Sequence, residues 1–376
     1  MQIKKVESFV VSCQLKESFY FSQWRYDNRT ICLVKITTNE GLYGWGEGYG
    51  PAKIIKSGIE FFTPLLLDSD PLQEENLWQA MYLRSLDHAR RGIMLSALSA
   101  LDVALWDLKG KILKQPVSVL LGGRKRENVK AYATSLYFSD GPNLSQRLAE
   151  EAMSYKQNGF GAVKMKVGLG LKEDVKNVQA VRQAIGPDVE LMVDANHAFS
   201  LKEALELARA IEPYNIAWFE EPISPEDYEG YRELRLRTTI PMAGGECEYL
   251  RAGFLQLFEN RCVDIAQPDI CAAGGLTEVK KICTLAQTFG VQFTPHYWGT
   301  GIALSAALHL MSNWDVIPGR LKEPQPLIEL DCTENPLRDE LVQPTFSTHN
   351  GHLQVPNKPG LGVDVDGDAL NKYLSK

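Results

Sequence analysis

Apolar and polar residues alternate near the start of this chain, and the period then lengthens. Residues 3–15 and 31–47 read as strands, with Asn39-Glu40-Gly41 as the turn between ICLVKITT and LYGWGE. Over 92–113, Leu95, Leu98, Leu101, Ala104, Leu105 and Leu108 recur at helical spacing. A meander followed by helices predicts an α+β unit, and Gly122-Gly123 with the charged run RKREN marks its boundary near residue 125.

From about residue 130, short apolar runs alternate with amphipathic stretches. AYATSLY is the first predicted strand and 145–158 the first helix. The helix predicted over 172–185 has Val175, Val178, Val181 and Ile185 on one face and stops at Gly186-Pro187. Ser200 and Glu203 form a capping-box pattern ahead of LKEALELARAI. Further helices are expected at 227–236, 249–259, 274–289 and 302–312, and an eighth strand at 326–330. After about 345 the rhythm stops, and the tail reads as turns and a short helix.

Six acids and bases end successive apolar runs of this repeat: Lys166, Asp194, Glu220, Glu246, Asp269 and His296, at intervals of 28, 26, 26, 23 and 27 residues. That period fits one strand, one helix and two loops. In a (β/α)₈ barrel such residues meet at one face, where these barrels carry their chemistry. Asp194, Glu220 and Glu246 then offer three oxygens to Mg²⁺, which favours oxygen ligands. A single buried acid more often pairs with lysine or arginine. Three in register reverse that expectation, because uncompensated carboxylates repel. Glu221 points the other way along the pleat, and no Cys/His cluster with zinc spacing competes, although His197 is near.

Lys164 and Lys166 face the same side of their strand, and a neighbouring cation lowers one of them toward the range of a base. On the other side of the triad, Asp269 can fix the tautomer of His296 and leave Nε2 free to take a proton.

The chain has 376 residues, 44% of them hydrophobic, which allows two domains. A net charge of −7 gives no reason to expect nucleic acid or an anionic membrane as partner. No leader and no transmembrane run is expected, and seven scattered cysteines read as reduced thiols. The expectation is a soluble, cytoplasmic protein. Gly168-Leu169-Gly170 fails as a dinucleotide fingerprint, and the aspartates at 364–368 fail as a calcium loop.

KMK, DAN, FEEP, AGGE, QPD, PHYWGTG and a strand-eight glutamate, in that order, resemble the mandelate racemase branch of the enolase superfamily. Sites of that superfamily combine a Lys or His base with Mg²⁺, which stabilises an enediolate. The resemblance covers essentially the whole chain. It implies a modified TIM barrel over 126–345, an α+β capping domain over 1–125, and a segment 346–376 returning to the cap. It further implies Asp194, Glu220 and Glu246 as Mg²⁺ ligands, with Lys166 and the His296–Asp269 dyad as the two proton carriers. Lys164 and Glu329 would contact the carboxylate of a small-molecule substrate, and Asn196 would neighbour the metal. The resemblance also favours a homo-oligomer, dimer or octamer.

Proton abstraction beside a carboxylate leaves several outcomes open. Reprotonation gives racemisation or epimerisation, and loss of a β-substituent gives dehydration or, for a lactone oxygen, ring opening. WRYDNRT, AYAT, LMVDANH and ELDCTENPLRDEL are similar to the galactarolactone cycloisomerases of this branch, which makes an aldarolactone the preferred substrate. The loop ESFYFSQWRYDNRT is expected to close over the barrel, with Tyr20, Trp24 and Arg25 joining Asn196 and Trp298 as substrate contacts. An amino-acid epimerase would need an acidic or aromatic residue near the last strands for an ammonium group, and Asp331 is a candidate.

Overall fold

The computed structural model describes residues 1–314, 321 and 325–375. Its first sheet is antiparallel, with β1 (Ile3–Phe21), β2 (Trp24–Thr38) and β3 (Tyr43–Gly48) in that order. The turn between β2 and β3 lies where the alternation predicts it. The stretch expected as a closing loop is instead the far end of the β1–β2 ribbon. Beyond a register shift between Gln14 and Phe19, Phe19 pairs with Tyr26, Tyr20 with Arg25 and Phe21 with Trp24. Aromatic residues suit a two-faced ribbon better than a solvated loop.

Helices α1 (Ala52–Leu66), α2 (Glu74–Ser85) and α3 (Ile93–Leu113) follow the sheet, and the single turn α4 (Val117–Leu120) leads out of this unit. Two glycines of β3 allow α3 to lie against the sheet. A Cβ on Gly44 would sit 2.2 Å from the Ala104 carbonyl oxygen, and one on Gly46 2.0 Å from that of Ala100.

Eight parallel strands come next: β4 (Asn128–Thr134), β5 (Ala162–Lys166), β6 (Glu190–Asp194), β7 (Ile216–Glu220), β8 (Met242–Gly244), β9 (Ile265–Ala266), β10 (Gln292–Phe293) and β11 (Leu327–Asp331). They are joined by α5 (Leu144–Gln157), α6 (Leu171–Ile185), α7 (Leu201–Ile211), α8 (Tyr228–Arg237), α9 (Leu250–Glu259), α10 (Gly275–Phe289) and α11 (Gly301–Met311). The capping box at α7 forms as the sequence predicts. The sheet runs from β10 back to β4 and then to β11, so the first and last strands pair, Glu329 opposite Tyr132. Among the described residues no ladder joins β10 to β11. The helix that directly follows the eighth strand, α12 (Pro336–Glu340), has five residues, so the barrel is a modified one.

Side-chain alternation explains what fills the barrel. Tyr132, Ala162, Met192, Trp218, Ala243 and Ile265 form a buried apolar layer contributed by six consecutive strands. Two residues further along, the same inward direction is taken by Thr134, Lys164, Asp194, Glu220 and Gln267. The barrel therefore has an apolar plug beneath a polar mouth.

The tail adds β12 (Val342–Gln343), β13 (His352–Gln354), β14 (Asp364–Val365) and α13 (Gly367–Tyr373). β13 pairs antiparallel with β4. Asp364 accepts hydrogen bonds from Tyr43 Oη at 2.7 Å and Trp45 Nε1 at 2.8 Å, and Ser375 N donates to the Val10 carbonyl at 2.8 Å. Among the described residues no helix is long and apolar enough to cross a membrane.

The glycine contact can be tested directly. Gly46→Ala is expected to cost about 2 kcal/mol through overpacking against α3, read as a lower urea midpoint with an unchanged slope. An unchanged midpoint would mean that the helix can move away without penalty.

Candidate active site

Lys164 occupies the centre of the mouth. Its Nζ binds Glu220 Oε1, lies 2.8 Å from Glu329 Oε1, and lies 3.6 Å from Asp194 Oδ2. Burial alone disfavours the ammonium, but Glu220, Glu329, Tyr132 and Asp194 together hold its pKa well above the usual lysine value. Lys166 Nζ donates to Asp194 Oδ2 at 2.6 Å and Asn196 Oδ1 at 2.7 Å, and lies 4.7 Å from the centre of the Phe21 ring. Glu329 also accepts from Thr134 Oγ1 at 2.5 Å and Tyr297 N at 3.0 Å. Burial raises the Glu329 pKa, but Lys164 and His296 outweigh it and leave the carboxyl below its ordinary value.

His296 stands on the other side. Its Nδ1 lies 2.6 Å from Asp269 Oδ2, and its Nε2 lies 3.3 Å from Glu246 Oε2. Burial would lower its pKa, yet Glu246 and Asp269 with Glu329 push it up to about 10. Asp269 and His296 both lie just beyond their strands, joined by an isolated bridge. The spacing therefore brings Lys166, Asp194 and Glu220 together at paired strand ends, with Asp194 opposite both neighbours. Glu246, two residues past β8, turns toward the histidine.

Several residues to which the sequence assigned no role complete the site. Gln267 Nε2 donates to Glu220 Oε2 at 2.7 Å, and Trp218 Nε1 to the same oxygen at 2.9 Å. Gln267 precedes Asp269 by two, so strand alternation was the available signal. Phe21, Tyr26, Tyr49 and Tyr137 join the expected Trp298 in walling the pocket around Lys166 and His296. These walls leave a cavity of about 20 Å³, enough for about one water molecule. A sugar acid enters only if the walls part toward the adjoining mouth cavity of about 830 Å³.

Of the three contacts expected from the ribbon, Trp24 and Arg25 line the outer mouth cavity instead of the inner pocket, and Tyr20 lines neither. Tyr20 donates through its hydroxyl to Asp140, Arg25 binds Asp27 at 2.9 Å and Tyr20 Oη at 2.8 Å, and Trp24 is 55% exposed. Register explains Tyr20 and Arg25, which pair with each other on the face opposite Phe19 and Phe21, whereas Trp24 pairs with Phe21 at the tip of the ribbon. Trp298 and Asn196 do line the pocket. Arg29, rather than Arg25, is the buried cation beside Trp298, 4.0 Å from its ring centre. It donates to Asp331 Oδ2 at 3.0 Å and to Thr333. Asp331 also accepts from Asn335 and lies near Arg338, so it is not free to receive a substrate ammonium group.

This arrangement has known counterparts. Residues 147–369 match the family described as enolase C-terminal domain-like, and residues 5–122 match the mandelate racemase/muconate lactonizing enzyme N-terminal domain. The chain belongs to the mandelate racemase/muconate lactonizing enzyme family of the enolase superfamily. This family member is 40% identical to D-galactarolactone cycloisomerase of Agrobacterium fabrum over 99% of both chains. It is 37% identical to arabinonate dehydratase of Saccharolobus solfataricus, covering 92% of this chain and 91% of that one. The crystal structure of 3,6-anhydro-D-galactonate cycloisomerase from Zobellia galactanivorans covers all of both chains with a TM-score of 0.92 and 57% identity. The chain is an enzyme of this superfamily, whose members typically bind Mg²⁺.

The donor set of this family member suits such an ion. Burial and neighbouring carboxylates raise Glu220 and Glu246 above the ordinary glutamate range, while Lys166 and Lys164 overcome burial to hold Asp194 below the ordinary aspartate value. Asp194 and Glu220 are buried and Glu246 partly so, and three carboxylates with incompletely balanced negative charge match a hard dication.

Substitutions should separate the walls from the outer ribbon. Trp298→Ala and Phe21→Ala are expected to lower kcat/KM by about tenfold or more, whereas Arg25→Ala, which breaks only exposed contacts, should change it less than about threefold. Steady-state kinetics on each variant decide, and a larger loss in Arg25→Ala would reverse the assignment.

Proposed function

We propose that this enzyme opens the ring of a cyclic sugar monoacid. It removes the proton α to the carboxylate and expels the β-ring oxygen, with Asp194, Glu220 and Glu246 holding Mg²⁺. One observation carries the reading. The pocket shared by Lys166 and His296 has aromatic walls and, among the described residues that line it, no basic group beyond Lys164, Lys166 and His296, each already facing a carboxylate. A linear diacid would bury an unpaired charge there, at high cost. An anhydro sugar acid carries one carboxylate before and after ring opening, an aldarolactone one until its ring oxygen departs as a second, and the ring C–H faces of both suit aromatic walls. The two relatives named as cycloisomerases support ring opening, and the full-length likeness to the Zobellia galactanivorans enzyme puts a 3,6-anhydro sugar acid first.

Lys164 and Glu329 would grip the substrate carboxylate between them. When bound, Mg²⁺ supplies charge compensation for the enediolate dianion. Lys166 and His296 divide the proton transfers. One takes the proton from C2, the C3–O bond breaks, and the other gives a proton to the departing ring oxygen. Asp269 keeps His296 oriented throughout. The enol then takes a proton at C3 and becomes a ketone, so nothing is gained or lost overall. Loss of a free hydroxyl from the same enediolate would be the dehydratase outcome, which the similarity to arabinonate dehydratase favours. We infer a cytoplasmic homo-oligomer as the setting, from the seven free thiols and the prevalence of symmetric assemblies.

Turnover of 3,6-anhydro-galactonate and galactarolactone in deuterated water, followed by NMR, tests this. The expected product is a 2-keto-3-deoxy acid of unchanged composition with one deuterium at C3. A product formed only from linear acids with loss of water would replace ring opening by dehydration. Excess chelator should abolish turnover. Lys166→Met and His296→Asn should each cost about 10²–10⁴-fold in kcat, and full activity in both would remove them from the mechanism.

A further inference from the structure

Beside the carboxylate triad, three chemically different side chains converge on the barrel mouth. His197 lies three residues beyond Asp194, Glu221 one beyond Glu220, and Cys247 one beyond Glu246. Their donor atoms all lie within 4.8 Å of one another. His197 Nε2 is 3.1 Å from Glu221 Oε2 and 3.5 Å from Cys247 Sγ. Around a tetrahedral ion with bonds of about 2.0–2.3 Å, donor atoms stand about 3.3–3.6 Å apart.

The histidine is oriented for such a role. Its Nδ1 lies 3.1 Å from the Ile223 carbonyl, which can take the N–H, so that Nε2 of the neutral ring would offer its lone pair to an ion in the cluster. This is the outer contact that metal-binding histidines usually make. His197 (φ 65°) and Glu221 (φ 42°) both have left-handed backbone, uncommon for residues with side chains, and these turns bring the two groups together. Cys247 is the one exposed thiol among the seven, the rest being buried or, for Cys332, partly so. His197 and Cys247 line the mouth cavity.

We propose that His197, Glu221 and Cys247 form a second cation site, for a borderline or soft divalent ion of the zinc, cobalt or cadmium class. A thiol and an imidazole select against Mg²⁺, as three carboxylates select for it. The three strand ends thus hold two sites of different hardness. With three protein donors, the fourth position opens to the mouth. The new site also touches the catalytic pocket. Glu221 Oε2 lies 3.4 Å from Asn196 Nδ2, and Asn196 Oδ1 accepts from Lys166 at 2.7 Å.

The test is titration of the full chain with Cd²⁺ in saturating Mg²⁺. One ion per chain is expected, with a near-ultraviolet thiolate-to-cadmium absorption band. Cys247→Ser should abolish the band, and His197→Gln should weaken binding by about tenfold or more, with circular dichroism unchanged in both. A hydrogen-bonded ion pair with a thiol beside it would give no band at one equivalent, and that result overturns the proposal. A band that persists in Cys247→Ser, or binding that disappears as Mg²⁺ is raised, overturns it as well.

Discussion

An ammonium group withdrawn from water holds this site together. Lys164 is buried, and its Nζ reaches carboxylates from β6, β7 and β11. Like charges on neighbouring strands would otherwise push the mouth open, because repulsion is poorly screened where water is excluded. The lysine is fixed in turn by the plug beneath it, since its direction is set two residues earlier by Ala162 in the apolar layer. Geometry and electrostatics therefore depend on one strand, AVKMK. The remaining polar groups arrange themselves around it. Glu220 is held by Gln267 and Trp218, Glu329 by Thr134 and the Tyr297 amide.

The cap contributes less chemistry than closure. Glu47, at the end of β3, accepts from the Thr300 amide at 3.0 Å and from the Ala303 amide at 3.3 Å at the start of α11. A buried carboxylate at a helix N-terminus satisfies amides that would otherwise lack partners. This contact fixes the end of the cap hairpin against the loop that carries Trp298. The aromatic walls thus come from both units, and the size of the pocket depends on how they are held together.

What the sequence reveals is limited by the range of the signal. The strand alternation and the repeat of about twenty-six residues are local, so Lys166, Asp194, Glu220 and the eight barrel strands could be read directly. The orientation of Tyr20 and Arg25 depended on a register shift between Gln14 and Phe19 that leaves no local mark. The partner of Arg29 is Asp331, 302 residues away, and no periodicity connects them. Tyr137 and Tyr49 were missed because each sits just past its strand, where alternation no longer fixes the direction. The same limit applies to His197 and Glu221, whose approach follows from left-handed turns instead of strand geometry.

The tail has a consequence for how the molecule is made. Trp45 is complete only when Asp364 accepts its indole N–H, across 319 residues of chain. The first sheet therefore leaves the ribosome long before the residue that secures it. Contacts so distant in sequence form slowly, and until they do the cap sheet lacks its last partner. During synthesis the barrel strands can pair in order as they emerge, while the cap sheet waits for the tail. The docking of Asp364 on Tyr43 and Trp45 should therefore be a late event of folding.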